Sequence, residues 1–191
     1  MSFLQQLQKQ KNKLKDTDTV VTKTDGKRYL ESKHEVSKQL TSCYGFVVDT
    51  KPDNVPVMIM EHLYIGSQDC TSQEVLNEYN IKRVLSLGID IETNIGHKYV
   101  QCLDLPETDV RPILEQSLPF IKEGIDNNEN LLIHCNAGVS RTSTVAIAYL
   151  MHYEKMTFND AYDLVKRKRP STQPNTGFRK QLQLMIPGQI I

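Results

Sequence analysis

Tryptophan is absent from this 191-residue sequence, and glycine and proline are scarce, at 9 and 8 residues. The 23 basic residues are balanced by 23 acidic ones, so the chain carries no formal net charge at pH 7. Binders of nucleic acid or anionic membranes usually need an excess of basic charge, so the balance argues against both classes. No apolar run approaches the length of a membrane span, and the N-terminal stretch MSFLQQLQKQKNKLK turns polar at once, unlike a signal peptide. We therefore expect a cytoplasmic or nuclear protein.

Close cysteine pairs are also missing. The four cysteines, Cys43, Cys70, Cys102 and Cys135, are widely spaced, and none forms a CxxC pair. Zinc sites and disulfide frameworks usually depend on such pairs, so we expect reduced thiols, no bound metal and no other cofactor.

The first fifty or so residues differ in composition from the rest of the chain. They begin with a Gln/Lys-rich segment whose only large apolar residues are Phe3, Leu4, Leu7 and Leu14. Such a segment predicts a marginal amphipathic helix or a frayed tail. Two prolines in VDTKPDNVP, residues 48–56, indicate a linker. We therefore predict a partly helical or flexible extension at residues 1–54 and a single domain at residues 55–191.

Strand-like and helix-like patterns alternate from residue 55 onwards. A hairpin is predicted by VPVMIM and HLYIG, a short helix by TSQEVLNEYN, and two strands by IKRVLSLG and HKYVQCLDL. A further helix is predicted by apolar residues at helical spacing from Ile113 to Ile125. A strand buried on both faces is predicted by NLLIHC, and three helical patterns close the chain. This order is typical of an α/β domain.

The stretch LLIHCNAGVSRTS, residues 131–143, carries the clearest chemical signal. The predicted buried strand ends at His134, a loop containing Gly138 follows, and a helix begins near Arg141. Ligands of open α/β sheets bind at the C-terminal ends of strands, where loop amides and helix N-termini attract anions. The same dipoles stabilise a thiolate, so Cys135 is a candidate nucleophile. Arg141 is spaced to return over the loop and hold two oxygens of a phosphate.

A cysteine at the end of a buried strand is usually just a small apolar residue. The conjunction of Cys135, Gly138, Ser140 and Arg141 in one strand-loop-helix context favours the catalytic interpretation instead.

The segment HCNAGVSR resembles the active-site loop of the cysteine-dependent protein phosphatases, specifically of their dual-specificity branch. The resemblance extends to LYIGS near the start of the domain and to AYLM, RP, PNTGF and QL in its C-terminal half, so it covers residues 55–185. It implies a protein-tyrosine-phosphatase-like fold, with a central mixed sheet of about five strands flanked by helices. It also implies that phosphotyrosine and phosphoserine or phosphothreonine are hydrolysed through a phosphocysteine intermediate.

The resemblance further implies catalytic roles around the loop. It assigns the proton donor for the leaving oxygen to Asp104, 31 positions before Cys135. Glu107 and Asp109 are rivals, although Asp109 fits better as the N-cap of the next helix. Ser140 would hydrogen-bond the cysteine sulfur and assist its departure, or cap the helix, or do both.

Substrate contacts are implied for the loop and for two residues further along the chain. The predicted set is His134, Asn136, Ala137, Gly138, Val139, Ser140, Arg141, Asn175 and Arg169. We expect His134 to orient the loop rather than act as a base. Asn175 would tie a neighbouring loop to the phosphate loop, or be an ordinary turn residue. Arg169 resembles a position that faces a second phosphate, although a basic run at a helix end is usually a solvated face.

The substrate class stays open at the level of sequence. Phosphoinositide phosphatases tend to carry lysines in this loop, whereas Asn136, Ala137 and Val139 are neutral. RNA and glucan phosphatases have related loops, but Ser140, the missing tryptophan and the short chain argue against a glucan substrate. A phosphoprotein-binding scaffold is a different alternative, although such relatives typically lack the cysteine. We therefore expect phosphorylated proteins as substrates.

Two weaker signals bear on partners and regulation. Basic residues followed by TVV at 19–21 loosely resemble kinase-docking peptides, so a kinase of a MAP kinase pathway is a candidate partner. Cys102 lies two residues before Asp104 and could form a disulfide with Cys135 under oxidation, but buried packing is the favoured role.

Overall fold

A computed structural model of the chain describes residues 19–22, 28–31, 38–40 and 53–191. The chain divides into two units, Met1–Ser42 and Cys43–Ile191. The first unit contains an antiparallel sheet of three short strands in the order β1-β2-β3, namely Thr19–Thr22, Arg28–Glu31 and Lys38–Leu40. These strands were not predicted from the sequence. The helix predicted near the N-terminus lies outside the described residues.

The second unit contains a five-stranded mixed sheet in the order β4-β5-β8-β6-β7. Its strands are β4 (Val57–Met60), β5 (Leu63–Gly66), β6 (Ile81–Leu87), β7 (Gly96–Val100) and β8 (Asn130–His134). β4 and β5 form the predicted antiparallel hairpin, while β5, β8, β6 and β7 run parallel. The predicted α/β fold with a mixed sheet of about five strands is confirmed.

Five α-helices accompany this sheet within the described residues. They are α1 (Gln73–Glu78), α2 (Arg111–Asp126), α3 (Arg141–Tyr153), α4 (Phe158–Lys168) and α5 (Thr176–Gln183), and a 3-10 helix at Gln68–Thr71 precedes α1. Every residue of α3 from Thr142 to Met151 is buried, so this helix lies in the interior. No helix in the described ranges is long and apolar enough to cross a membrane.

The central strand β8 is covered on both faces, as its continuous apolar sequence predicts. Leu131 and Ile133 belong to the larger core cluster with α2, α3, α4 and α5, while Leu132 belongs to a smaller cluster with α1. Successive side chains of a strand point to opposite faces, so the three residues anchor β8 from both sides. The loop that follows β8 therefore begins from a fixed position.

The carboxyl ends of the parallel strands meet at one edge of the sheet. Gly66 of β5 and Ser86 of β6 are both register partners of His134, the last residue of β8. β7 ends at Val100, which pairs with Leu87 at the end of β6. The strand predicted to continue to residue 105 is thus too long, because β7 ends beside the last residue of its partner β6. The segment that contains Asp104 is irregular and lies at the edge where the other strands end.

Candidate active site

Residues 135–140 connect β8 to α3, and the surrounding structure holds the backbone carbonyls of this loop. Scaffold donors contact three of these carbonyls: Gln68 N donates to Asn136 O (2.9 Å), Arg169 Nε to Gly138 O (2.9 Å) and Gln173 N to Val139 O (3.0 Å). The C=O and N–H groups of a trans peptide point in opposite directions. Since the scaffold holds these carbonyls, the N–H groups of the same peptides point to the opposite side, an arrangement that suits the binding of an anion.

Gly138 lets this loop pack directly on the sheet. Its φ is +62°, and a β-carbon there would lie 2.4 Å from the carbonyl oxygen of Gly66. The left-handed backbone and the close approach both require glycine. The loop is thereby seated on the end of β5.

Cys135 is the first residue of the loop and is only 2% exposed. It lies between the rigid end of β8 and the N-terminus of α3, whose dipole favours negative charge. Cys70, Cys102 and Cys135 are all free thiols. Burial raises the pKa of Cys70 to about 11 and that of Cys102 to about 12. Those two thiols stay protonated at neutral pH, so neither is a candidate nucleophile.

Arg141, the first residue of α3, turns its side chain towards the ends of β6 and β7. Its Nη1 donates to Leu87 O at 3.0 Å and to Cys102 O at 3.4 Å. Its Nε is buried without a hydrogen-bond partner among the described residues, which leaves that donor available for an oxyanion. Gly88 makes room for the guanidinium, because a β-carbon there would lie 2.4 Å from Nη1.

Asp104 faces the loop from the irregular segment after β7. Its Oδ1 accepts hydrogen bonds from Ser140 Oγ at 2.6 Å and from Asn175 Nδ2 at 2.8 Å. Its Oδ2 lies 3.9 Å from Arg141 Nε. Because two donors engage Oδ1, Oδ2 is the oxygen available to exchange a proton. The side chain is 27% exposed, so a bound substrate can reach it.

Ser140 and Asn175 both contact Asp104 and are bonded to each other. Ser140 is the N-cap residue of α3, but its side chain makes no capping bond to this helix. Its hydroxyl donates to Asp104 instead. Asn175 ties its own segment to the loop, as the sequence predicts, because its backbone N–H donates to Ser140 Oγ at 3.0 Å. Its Oδ1 accepts from Phe178 N at 2.9 Å and thereby caps α5.

The start of α5 also positions the segment that carries Asp104. A β-carbon at Gly177 would lie 1.8 Å from the carbonyl oxygen of Pro106, two residues after the carboxylate. The turn at Pro106 is closed by a bond of 3.1 Å from Thr108 N to Leu105 O. Gly177 therefore allows α5 and this turn to pack backbone against backbone.

The rivals of Asp104 lie further along the same segment. The helix α2 begins at Arg111, so the residue at its N-cap position is Val110. The capping hydrogen bond nevertheless comes from Asp109, whose Oδ1 accepts from Arg111 N at 3.0 Å. Glu107 is exposed. Asp109 is thus engaged at the helix start, whereas Asp104 contacts the loop.

His134 is fully buried beneath the loop. Its Nε2 lies 2.6 Å from Ser86 Oγ, which also lies 2.9 Å from His97 Nε2. Burial lowers the pKa of His134 to about 4, so its ring is neutral at physiological pH. This position suits an orienting residue. Ser86 and His97 were not predicted from the sequence, although a serine within the apolar strand IKRVLSLG is a signal of a buried polar contact.

Arg169 lies behind the loop in this structure. The residue is 4% exposed, and its guanidinium contacts Gly138 O at 2.9 Å, Ala137 O at 3.3 Å and the carboxylate of Asp53. The resemblance had suggested that Arg169 faces a second phosphate, whereas these contacts direct it to the outward carbonyls of the loop. Asp53 was missed altogether, because it lies 116 residues from Arg169 and no local pattern marks it.

The site combines a buried thiol, a nest of amides around it, an arginine with a free donor and a carboxylate opposite. These groups define the class of cysteine-dependent phosphatases, which attack phosphate monoesters with the thiolate. No group of three or more His, Cys, Asp or Glu side chains suited to a metal ion occurs in the part of the chain that the structure describes.

Comparison with known proteins identifies the family. The family model "Dual specificity phosphatase, catalytic domain" matches residues 63–185, and the chain belongs to this family of protein-tyrosine/serine/threonine phosphatases. A probable dual specificity protein phosphatase of Dictyostelium discoideum is 33% identical, and the alignment covers 96% of this chain and 97% of that protein. Dual specificity protein phosphatase 19 of Mus musculus is 31% identical over 94% of this chain and 87% of that protein. The crystal structure of human DUSP28 matches with a TM-score of 0.62 and 25% identity, covering 67% of this chain and 90% of that one.

Proposed function

We propose that the chain dephosphorylates proteins through a phosphocysteine intermediate formed on Cys135. The observation that carries this proposal is the outward anchoring of the loop carbonyls, which aims the loop amides at an oxyanion held above the thiol. Asp104 and Arg141 meet at the same edge of the sheet, with 3.9 Å between Oδ2 and Nε.

In the first step, the Cys135 thiolate attacks phosphorus and the bond from phosphorus to the ester oxygen breaks. Asp104, protonated at Oδ2, donates its proton to the departing oxygen of the tyrosyl, seryl or threonyl side chain. The loop amides and Arg141 stabilise the charge that develops on the phosphoryl oxygens.

In the second step, water attacks the phosphocysteine and the bond between sulfur and phosphorus breaks. Asp104 is now a carboxylate and accepts a proton from the water, while Cys135 leaves as a thiolate and inorganic phosphate is released. Ser140 is bonded to Asp104 in this structure. We propose that its hydroxyl turns to the sulfur at this stage and stabilises the leaving thiolate.

A narrower proposal concerns the pathway. LDLPETD and HCNAGVSR together resemble the stress-activated protein kinase pathway-regulating phosphatase, a small atypical member of the family. On this basis we propose a substrate or partner among the kinases of a MAP kinase pathway, and a site of action in the cytoplasm or nucleus. The presence of Cys135, Asp104 and Arg141 favours an enzyme over a phosphoprotein-binding scaffold.

A substrate panel tests the central proposal. Phosphopeptides, phosphoinositides and phosphoglucan would be incubated with the wild-type chain and with Cys135→Ser, and released phosphate would be measured. We expect turnover of phosphotyrosine and phosphothreonine peptides by the wild type alone. Activity retained by Cys135→Ser would exclude Cys135 as the nucleophile, and a preference for phosphoglucan or phosphoinositide would exclude a protein substrate.

A truncated chain tests whether the N-terminal segment docks a kinase. Deleting residues 1–50 should leave turnover of a small aryl phosphate unchanged while lowering turnover of a phosphorylated MAP kinase. Equal loss of both activities would argue against docking and for a contribution of the segment to the stability of the domain.

A further inference from the structure

Arg169 holds two consecutive peptide groups of the phosphate-binding loop. Its Nε donates to Gly138 O at 2.9 Å and its Nη2 to Ala137 O at 3.3 Å. These carbonyls belong to the peptides whose N–H groups come from Gly138 and Val139. If either peptide rotated, it would present a carbonyl to the bound phosphate instead of an amide, and the nest would repel an oxyanion rather than bind it.

Asp53 fixes the guanidinium of Arg169. Its carboxylate is bonded to Nη2, the same nitrogen that contacts Ala137 O. The Arg169 side chain is 5% exposed and that of Asp53 is 36% exposed, so the pair is partly shielded from water. A guanidinium bound at both Nε and Nη2 has little freedom to rotate, because its donors are arranged in a rigid planar fork.

The backbone of Asp53 is itself held at both ends. Its N–H donates to Asp69 Oδ2 at 3.0 Å. Its carbonyl accepts from Ser67 Oγ at 2.7 Å and from the Cys70 thiol at 3.2 Å. Ser67 directly follows β5, the strand on which Gly138 is seated. The contacts thus run from the end of β5 through Asp53 and Arg169 to the loop.

We propose that Asp53 is a positioning residue for phosphate binding. By holding Arg169 against the carbonyls of Ala137 and Gly138, it keeps the loop amides turned towards the phosphate, although it does not touch the substrate itself. The inference rests on the proposed phosphate-binding role of the loop. It assigns Arg169 to shaping the loop rather than to contacting a second phosphate.

Inhibition by inorganic phosphate tests this role in the full-length chain. Asp53→Asn should raise the inhibition constant for phosphate, and the KM of a small aryl phosphate, by about tenfold, which corresponds to about 1.4 kcal/mol of binding free energy. Asp53→Glu, which retains the carboxylate, should recover most of this loss. Asp163→Asn is the matched control: it makes the same change of charge on the exposed side of α4 and should leave both constants unchanged.

A double-mutant cycle shows whether Asp53 acts through Arg169. Lysine cannot hold two carbonyls and a carboxylate with the same fork, so Arg169→Lys should weaken phosphate binding by itself. Asp53→Asn should then add less than about twofold in the Arg169→Lys background, because coupled residues are not additive.

Three results would overturn the proposal. The first is an unchanged phosphate inhibition constant in Asp53→Asn, including the case in which only the unfolding temperature falls. The second is a double variant whose phosphate inhibition constant rises by the product of the two single-variant effects, which would mean that Asp53 acts independently of Arg169. The third is a wild-type chain that neither binds phosphate nor turns over aryl phosphate; this result alone would also overturn the proposed function, so the two failures are distinguishable.

Discussion

The Ser140 hydroxyl donates a hydrogen bond of 2.6 Å to Oδ1 of Asp104, a residue that lies 36 positions earlier in the sequence. Asn175 donates to the same oxygen at 2.8 Å, so three separate segments of the chain meet at one carboxylate. The other oxygen, Oδ2, is thereby turned towards the site. The proposed proton donor, Asp104, is thus held against the loop of residues 135–140 by direct hydrogen bonds.

Asp104→Asn should lower kcat to an extent that depends on the leaving group of the substrate. A general acid contributes about 100-fold to 10,000-fold when the leaving oxygen needs a proton. We therefore expect kcat to fall by about 100-fold or more for phosphoserine peptides and alkyl phosphates, and by less than about tenfold for an aryl ester whose leaving group needs no proton. Steady-state kinetics on both substrate types measures the difference. Asp109→Asn is the control and should change kcat little for either substrate type. If Asp104→Asn lowered kcat equally for both substrate types, Asp104 would be excluded as the acid.

The strand, loop and helix around Cys135 could be predicted from the sequence because their determinants are local. The apolar run of β8, Gly138 and the spacing from Cys135 to Arg141 lie within a dozen residues, and each has a direct conformational consequence. The structure places these residues as the pattern indicates. The contacts that hold the loop join residues that are distant in sequence, so no local sequence pattern predicts them.

Asp53 and the end of β7 illustrate this difference. Asp53 sits in a proline-containing stretch that reads as a linker, and only the folded chain brings it to Arg169. The segment HKYVQCLDL has strand-like composition throughout, but β7 ends at Val100, where its partner β6 also ends. Strand length was thus set by the neighbouring strand rather than by local propensity.

Gly177→Ala should destabilise the protein although alanine is the better helix former. Alanine is favoured over glycine by about 1 kcal/mol inside a helix. The added β-carbon would lie 1.8 Å from Pro106 O, however, so α5 or the turn must move. We expect a net loss of about 1–3 kcal/mol, measured by urea unfolding. The shift should also displace Asp104 and lower turnover of alkyl phosphates. Lys180→Ala, an exposed change on the same helix, should do neither; a stabilised Gly177→Ala would contradict the packing argument.

Buried His134 should make stability fall in mild acid. The pKa of its ring is lowered to about 4 by burial, whereas an unfolded histidine titrates near pH 6.5. Between these values the unfolded chain binds more protons, so its population rises as the pH falls. From pH 7.5 to pH 5.5 we expect this residue to remove about 1.4 kcal/mol of stability. Urea unfolding of the wild type and of His134→Asn at both pH values measures it. If the wild type and His134→Asn lost the same stability between the two pH values, groups other than His134 would account for the loss.

Cys102 should not form a disulfide with Cys135 under mild oxidation. Peroxide converts a thiolate to a sulfenic acid, and a second thiolate must then attack that sulfur to form a bridge. Burial raises the pKa of Cys102 to about 12, so this thiol supplies almost no thiolate. Peptide mass mapping without reductant should therefore find oxidised Cys135 and reduced Cys102. Cys102→Ser should lose and regain activity at the wild-type rate; a bridged peptide in the wild type, together with faster irreversible loss in the variant, would instead assign Cys102 a protective role.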